Sequence, residues 1–159
     1  MAEKRKRAKP AVSLEQLPEA LERAWLRRLA WHFDHVNYQY LDCALKRPVF
    51  LLGDSKKKLG SWDGNRRVLM ISRHHILSHD WESVVDTLRH EMAHQYVQER
   101  LGLGAAAPHG REFRDACDLL RCDPAAKADT AALGKLEDSA VEKDRRLGRI
   151  KELLALAGS

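Results

Sequence analysis

Apolar residues recur at steps of three and four from Leu14, at Leu17, Leu21, Trp25, Leu29, Phe33, Val36 and Tyr40, and this spacing predicts one long amphipathic helix. Pro18 falls near its first turn, where a missing N–H is harmless. Between Pro48 and Arg73 the pattern shortens to β-prone runs, Val49 to Leu52, Leu59 to Trp62 and Val68 to Ser72, separated by Gly53-Asp54 and Asp63-Gly64-Asn65. These predict a small antiparallel sheet. Ser78 or Asp80 can then cap a second helix, with Glu82 in its first turn and Gly102 and Gly104 to stop it. On that helix Trp81, Val85, Leu88, Met92 and Tyr96 form one stripe, and His90, His94, Val97 and Leu101 a second. Two such stripes predict a helix buried on most of its circumference.

A shorter helix is expected from about His109 to Leu120, with Phe113, Cys117 and Leu120 on one side. The Ala-rich stretch that follows reads as a linker, and Leu147, Ile150, Leu153, Leu154 and Ala157 mark a last amphipathic helix. The organisation expected is a basic flexible arm over 1–13, one domain over 14–122, a linker over 123–140 and a C-terminal helix over 141–159. The chain has 159 residues, enough for one such domain to bury a core without disulfides.

Charge adds a direction to this picture. The net charge is +5, yet residues 1–10 carry +4 and residues 46–73 carry +6, so the remainder is acidic. That asymmetry suggests a side that faces a polyanion, with Lys56, Lys57, Lys58, Arg66 and Arg67 as candidate phosphate contacts. An equally ordinary reading is a solvated sheet edge whose charges resist aggregation.

Three cysteines, Cys43, Cys117 and Cys122, form no CxxC pair, which argues against a disulfide framework or a zinc ribbon and for a reducing compartment. No apolar run approaches the roughly 18 residues of a membrane span, and no signal-peptide pattern follows the basic start. A cytoplasmic protein, within nucleoid or nucleus included, is expected.

The chemistry concentrates in His90-Glu91-Met92-Ala93-His94. This is HExxH on a predicted helix, where side chains at i and i+4 share a face and can reach one ion. Glu91 approaches from the side, where it can take a proton from a water whose pKa a zinc ion lowers to about 7. Composition alone would produce the motif by accident in about 3 chains of this kind in 100. A catalytic zinc needs a third protein ligand and one open position. His109, which opens the helix after the loop, is the first candidate; Glu112, on the same face, is its rival.

The remaining histidines read as surface or core-edge side chains: His32 and His35 on the first helix, and His74, His75 and His79 near a strand end. Trp25 and Trp81 read as core. Arg111 and Tyr96 are open candidates for stabilising an oxyanion, with no spacing argument for either.

With these residues in hand the chain resembles the SprT-like metallopeptidase family, which includes the Spartan proteases. The resemblance covers about residues 18–122 and rests on Leu59-Gly60-Ser61-Trp62-Asp63, the strand Arg67 to Ser72, Trp81, the HExxH segment, and His109-Gly110-Arg111-Glu112-Phe113. The last looks like that family's HGxxF element, which implies His109 as third zinc ligand.

The resemblance implies an α+β, zincin-like metallopeptidase core holding one Zn2+ ion. For Spartan-type members it also implies cleavage of proteins bound or crosslinked to DNA, a role in DNA repair. No zinc ribbon is recognisable after the domain. Asp144 to Ala157 resembles the opening of a domain of unknown function found in some bacterial SprT-like proteins, which would make 141–159 the start of a truncated second domain; a terminal helix ended by Gly158 is the alternative. The rival functions are a peptidase indifferent to DNA and a non-catalytic DNA-binding or adaptor module with a structural zinc.

Overall fold

The computed structural model describes residues 17–103 and 109–125; the basic arm, most of the expected linker and the expected C-terminal helix lie outside the described residues. Seven elements follow in order: α1 (Leu17–Leu41), β1 (Val49–Gly53), β2 (Gly60–Asp63), β3 (Val68–Ser72), α2 (Arg73–Ser78), α3 (Trp81–Leu101) and α4 (Arg111–Leu120). The architecture is α+β. No helix among the described residues is long and apolar enough to cross a membrane.

The stripe on α1 is the base of the core. Leu21, Trp25, Leu29, Phe33, Val36 and Leu41 are all buried, one or two per turn on a single side. Where the helix ends, Asn37 is buried and its side-chain amide clasps the backbone of Leu45, accepting from its N–H at 3.1 Å and donating to its carbonyl at 2.7 Å. That bond pair satisfies a buried polar group and sets the path into β1.

The sheet differs from the antiparallel one expected. Its order is β1-β3-β2, with β1 parallel to β3 and β2 antiparallel to β3, so β3 is central. The chain leaves β1, crosses the far end of β3, descends as β2, and only then inserts β3 between the two. A parallel pair needs a crossover of a dozen or more residues, and residues 54–67 provide it, with β2 inside. Ser72 fastens the crossing loop: its N–H donates to the Leu59 carbonyl at 2.8 Å and its hydroxyl to the Ser55 carbonyl at 2.6 Å.

Phe50 and Leu52 of β1 and Leu69 and Ile71 of β3 belong to or pack on the core, while Val49 and Leu51 are exposed, the alternation of a sheet covered on one face. Ser72 also caps α2, a short helix that the strand and helix patterns do not announce.

Helix α3 begins at Asp80, whose carboxylate accepts from the Ser83 N–H at 2.7 Å, and ends at Gly102, at φ 65. Glycine is the residue that reaches that left-handed conformation without strain. Only Glu82, Asp86 and the last three residues of α3 are exposed, so the helix is enclosed on most of its circumference as its two stripes predict. Its neighbours are β2 on one flank and α4 on another, and those two neighbours frame the site.

Candidate active site

Residues 90–94 fall on the second half of α3, so His90 and His94 project from one face a turn apart. His109 arrives just before α4, and the three imidazoles converge, with one nitrogen from each lying within 4.8 Å of the others. Nitrogens on a tetrahedral zinc stand about 3.4 Å apart for bonds of about 2.0–2.1 Å. Small side-chain rotations would therefore bring all three onto one ion, and this donor set fits zinc.

Phe113 is the floor of the cluster. It is buried on the first turn of α4, with its ring centroid 5.0 Å from that of His90, 4.3 Å from His94 and 4.8 Å from His109. It stacks on His94 at an interplanar angle of 25° and meets the other two rings by their edges. The spacing of His109 and Phe113, four residues apart, is thus what joins the third histidine to the core. Glu112 is exposed and lies outside the group of converging donors.

Burial holds the histidines of α3 neutral. It pushes the His94 imidazole down to about 4, with the neighbouring His90 and His109 rings adding to the effect. Burial likewise lowers His90, against the opposing pull of the Asp123 carbonyl. That carbonyl lies 3.3 Å from His90 Nδ1 and can only accept, so Nδ1 carries the proton and Nε2 keeps its lone pair. A neutral ring oriented by a second partner is the form in which histidine binds metals.

Glu91 points to the other flank. It is buried, and burial raises its carboxyl to about 7, opposed by the charge of Lys58 and by the Trp62 backbone N–H, which donates to it. The contact with β2 is close because position 60 is glycine: a Cβ there would lie 3.2 Å from Glu91 Oε1. A carboxyl group poised near neutrality, one residue along α3 from His90, can exchange a proton at working pH.

The basic candidates do not form one surface. Lys56, Lys57 and Lys58 lie in the loop before β2, while Arg66 and Arg67 lie in the turn after it, at opposite ends of that strand. Arg67 is engaged within the fold, donating to Glu99 at 2.8 Å and to the Lys46 carbonyl at 3.1 Å. Among the oxyanion candidates, Arg111 is 85% exposed and pairs loosely with Asp115 on its own helix, and Tyr96 packs against the core.

Two features escaped the sequence reading. His75 is not at the surface or a core edge but 1% exposed, with Nε2 2.9 Å from Thr87 Oγ1 and Nδ1 2.9 Å from His79 Nδ1. It ties α2 to α3 one turn before Glu91. The contact of Asp123 with His90 was the other, and a backbone carbonyl carries no mark in sequence. Trp25 is core as expected, whereas Trp81 is only partly buried beneath the Arg28 guanidinium, 4.3 Å from its ring.

Comparison with curated proteins and with solved structures finds no match. The sequence model of the SprT-like family matches residues 24–131, more than half of the chain, from within α1 through α4 and including the three histidines. By that match the chain belongs to the SprT-like family.

Proposed function

We infer that this protein is a zinc-dependent endopeptidase with a zincin-type core. The observation that carries the reading is the pairing of three convergent imidazoles with a buried carboxyl group on the same helix, one residue from a ligand. Family membership supports the protease-like, zinc-associated theme. His90, His94 and His109 hold the ion, and three protein ligands leave a position open for chemistry rather than closing a structural site.

Zinc bound there supplies a Lewis acid that activates water and polarises a peptide carbonyl. Glu91 accepts the proton of the attacking water and later delivers it to the leaving amine; a carboxyl near pH 7 suits both directions. The Trp62 N–H steadies the carboxylate while it is charged. Phe113 holds the three rings in register and keeps water from their buried side.

Substrate alignment falls to a sheet edge. Read from the sequence, Val68 to Ser72 is a candidate for such an edge, but the structure rules it out, because β3 is hydrogen-bonded on both sides. Of the two edges, β2 adjoins Glu91 and can take an extended polypeptide by strand addition. An extended or unfolded segment is therefore the substrate class this reading favours.

Within that class we assign proteins bound or crosslinked to DNA as the physiological substrate. The support is the basic loop Lys56 to Lys58, which precedes β2 and of which Lys58 lies close enough to Glu91 to lower its carboxyl. The test is cleavage of a basic DNA-binding protein by the zinc-loaded chain, with and without single-stranded DNA, beside Glu91→Gln. Cleavage that requires both DNA and Glu91 is expected. Glu91-dependent cleavage indifferent to DNA would make it a general peptidase, and zinc uptake with no cleavage in any arm would make it a non-catalytic module.

A further inference from the structure

Thr87 stands one turn before Glu91 on α3, buried, with two different branches on its Cβ. The methyl meets β2: a Cβ on Gly60 would lie 2.8 Å from Thr87 Cγ2 and 3.1 Å from Glu91 Cγ. The hydroxyl meets α2, with Oγ1 2.9 Å from His75 Nε2. A helical threonine ordinarily divides between two χ1 rotamers, so a neighbour is needed to choose which branch faces the strand.

His75 is such a neighbour, because its ring is tied at both nitrogens. Nε2 also lies 3.3 Å from the Ser83 carbonyl, which can only accept, so Nε2 carries the ring proton. Nδ1 then accepts from His79 Nδ1, 2.9 Å away, and that same N–H reaches the His75 carbonyl at 3.3 Å. The ring is 1% exposed, and Ser72 caps the short helix that carries it.

The plain account is a buried histidine that satisfies its polar atoms while pinning α2 to α3. One relation goes further. The atom His75 holds is one branch of a side chain whose other branch lies against the strand beside Glu91.

We propose that His75 is a positioning residue for the Glu91 carboxyl: it holds the Thr87 hydroxyl toward α2, turns the Thr87 methyl onto Gly60, and so sets the distance between β2 and Glu91. The catalytic half rests on the reading of Glu91 as the base. His75 is not one of the three converging imidazoles and acts only through Thr87. Without it Thr87 regains its second rotamer, and the methyl no longer serves as the stop between strand and helix. A displacement of about 1 Å near reacting groups costs up to roughly 100-fold in rate.

The test places His75→Leu in two backgrounds of the full, zinc-loaded chain, with a dye-labelled histone as substrate and single-stranded DNA present. In the parent background kcat per folded, zinc-loaded molecule should fall by roughly 10- to 100-fold. In a Thr87→Val background both branches are methyls, so one meets Gly60 in either rotamer, and the same change should cost about twofold or less. His75→Gln, whose amide offers an N–H in place of Nε2, should keep most of the parent rate. Thr87→Ser keeps the hydroxyl and loses the methyl; it should match the loss of His75→Leu, and it serves where that variant does not fold. Thermal melts on each variant separate loss of fold from loss of rate.

A second measurement needs no activity. The nuclear Overhauser contact between the Thr87 methyl and the Gly60 α-protons should be present in the parent and in His75→Gln, and weakened in His75→Leu.

Equal losses of kcat in the two backgrounds would overturn the proposal, since a histidine that only pins α2 costs the same in both. An Overhauser contact unchanged by His75→Leu, or a Thr87→Ser variant of full rate, would overturn it too. If the parent cleaves nothing, or Glu91→Gln cleaves as fast as the parent, the base reading falls and the catalytic half with it, while the Overhauser contact still decides whether His75 sets the rotamer.

Discussion

The backbone of Gly60 presses against the side chain of Glu91: a Cβ at position 60 would lie 3.1 Å from Glu91 Cγ and 2.8 Å from Thr87 Cγ2. The Thr87 methyl is on a β-branched residue of a buried helix and has little room to yield. Gly60→Ala should therefore push β2 off α3, costing about 1–3 kcal/mol in chemical denaturation. Peptidase activity should fall more steeply than that loss explains, with zinc stoichiometry unchanged. An alanine variant of full activity would show that β2 does not position the carboxyl group.

Glu91→Gln keeps the shape of the side chain and removes its proton-accepting role. Turnover should drop roughly 10²- to 10⁴-fold, while the variant binds one zinc with the affinity of the parent. Metal analysis beside a cleavage assay separates the two quantities. Undiminished cleavage would reject Glu91 as the base.

The third ligand can be tested by paired substitutions. His109→Ala should abolish tight zinc binding, because a two-histidine site lacks a donor. Glu112→Ala should leave it intact, since Glu112 is exposed and outside the converging group. Chelator competition on both variants decides between them, and the reverse order would identify Glu112 as the ligand.

Phe113 carries both stability and site geometry. Phe113→Ala should cost about 3–5 kcal/mol as a buried aromatic truncated to a cavity. Phe113→Leu should fold with a smaller loss yet bind zinc more weakly, because no flat ring then lies under His94. Thermal melts with and without zinc would register the difference.

A pH dependence follows from His32, away from the metal cluster. Burial, with help from Arg28, His35 and Arg89, lowers its pKa to about 4 from 6.5, and Trp81 packs beside it. The unfolded chain therefore binds more protons between pH 6.5 and 4, so stability present above 6.5 is lost as pH falls toward 4. His32→Gln has no such loss; the stability of wild type relative to the variant should decline across that interval. Parallel denaturation curves at pH 7 and pH 5 would reveal it, and an unchanged difference would refute it.

What was legible in the sequence was local. The stripe on α1, the Asp80 cap, the Gly102 stop and the HExxH spacing each depend on residues within a turn or two, and all were readable. The strand order was not, because three short runs joined by short loops look like hairpins whether or not the third inserts between the first two. His75 was misjudged for a similar reason: its burial depends on Thr87, in another helix. His109 was suggested by position and chemistry, and His109 to Phe113 by its likeness to the HGxxF element; that the Phe113 ring packs against all three histidines was not readable, because it depends on how α4 docks on α3.

The insertion of β3 between two earlier strands also bears on the order in which the molecule comes together. Neither β1 nor β2 has a strand partner until β3 exists, and the β2–β3 turn is the nearest contact in sequence. Local closure costs least entropy, so that hairpin forms first and β1 docks on it afterwards. During synthesis, the strand edge proposed to hold a polypeptide is completed before α3 has emerged in full. A nascent chain therefore completes that edge before the histidines of the proposed metal site have emerged.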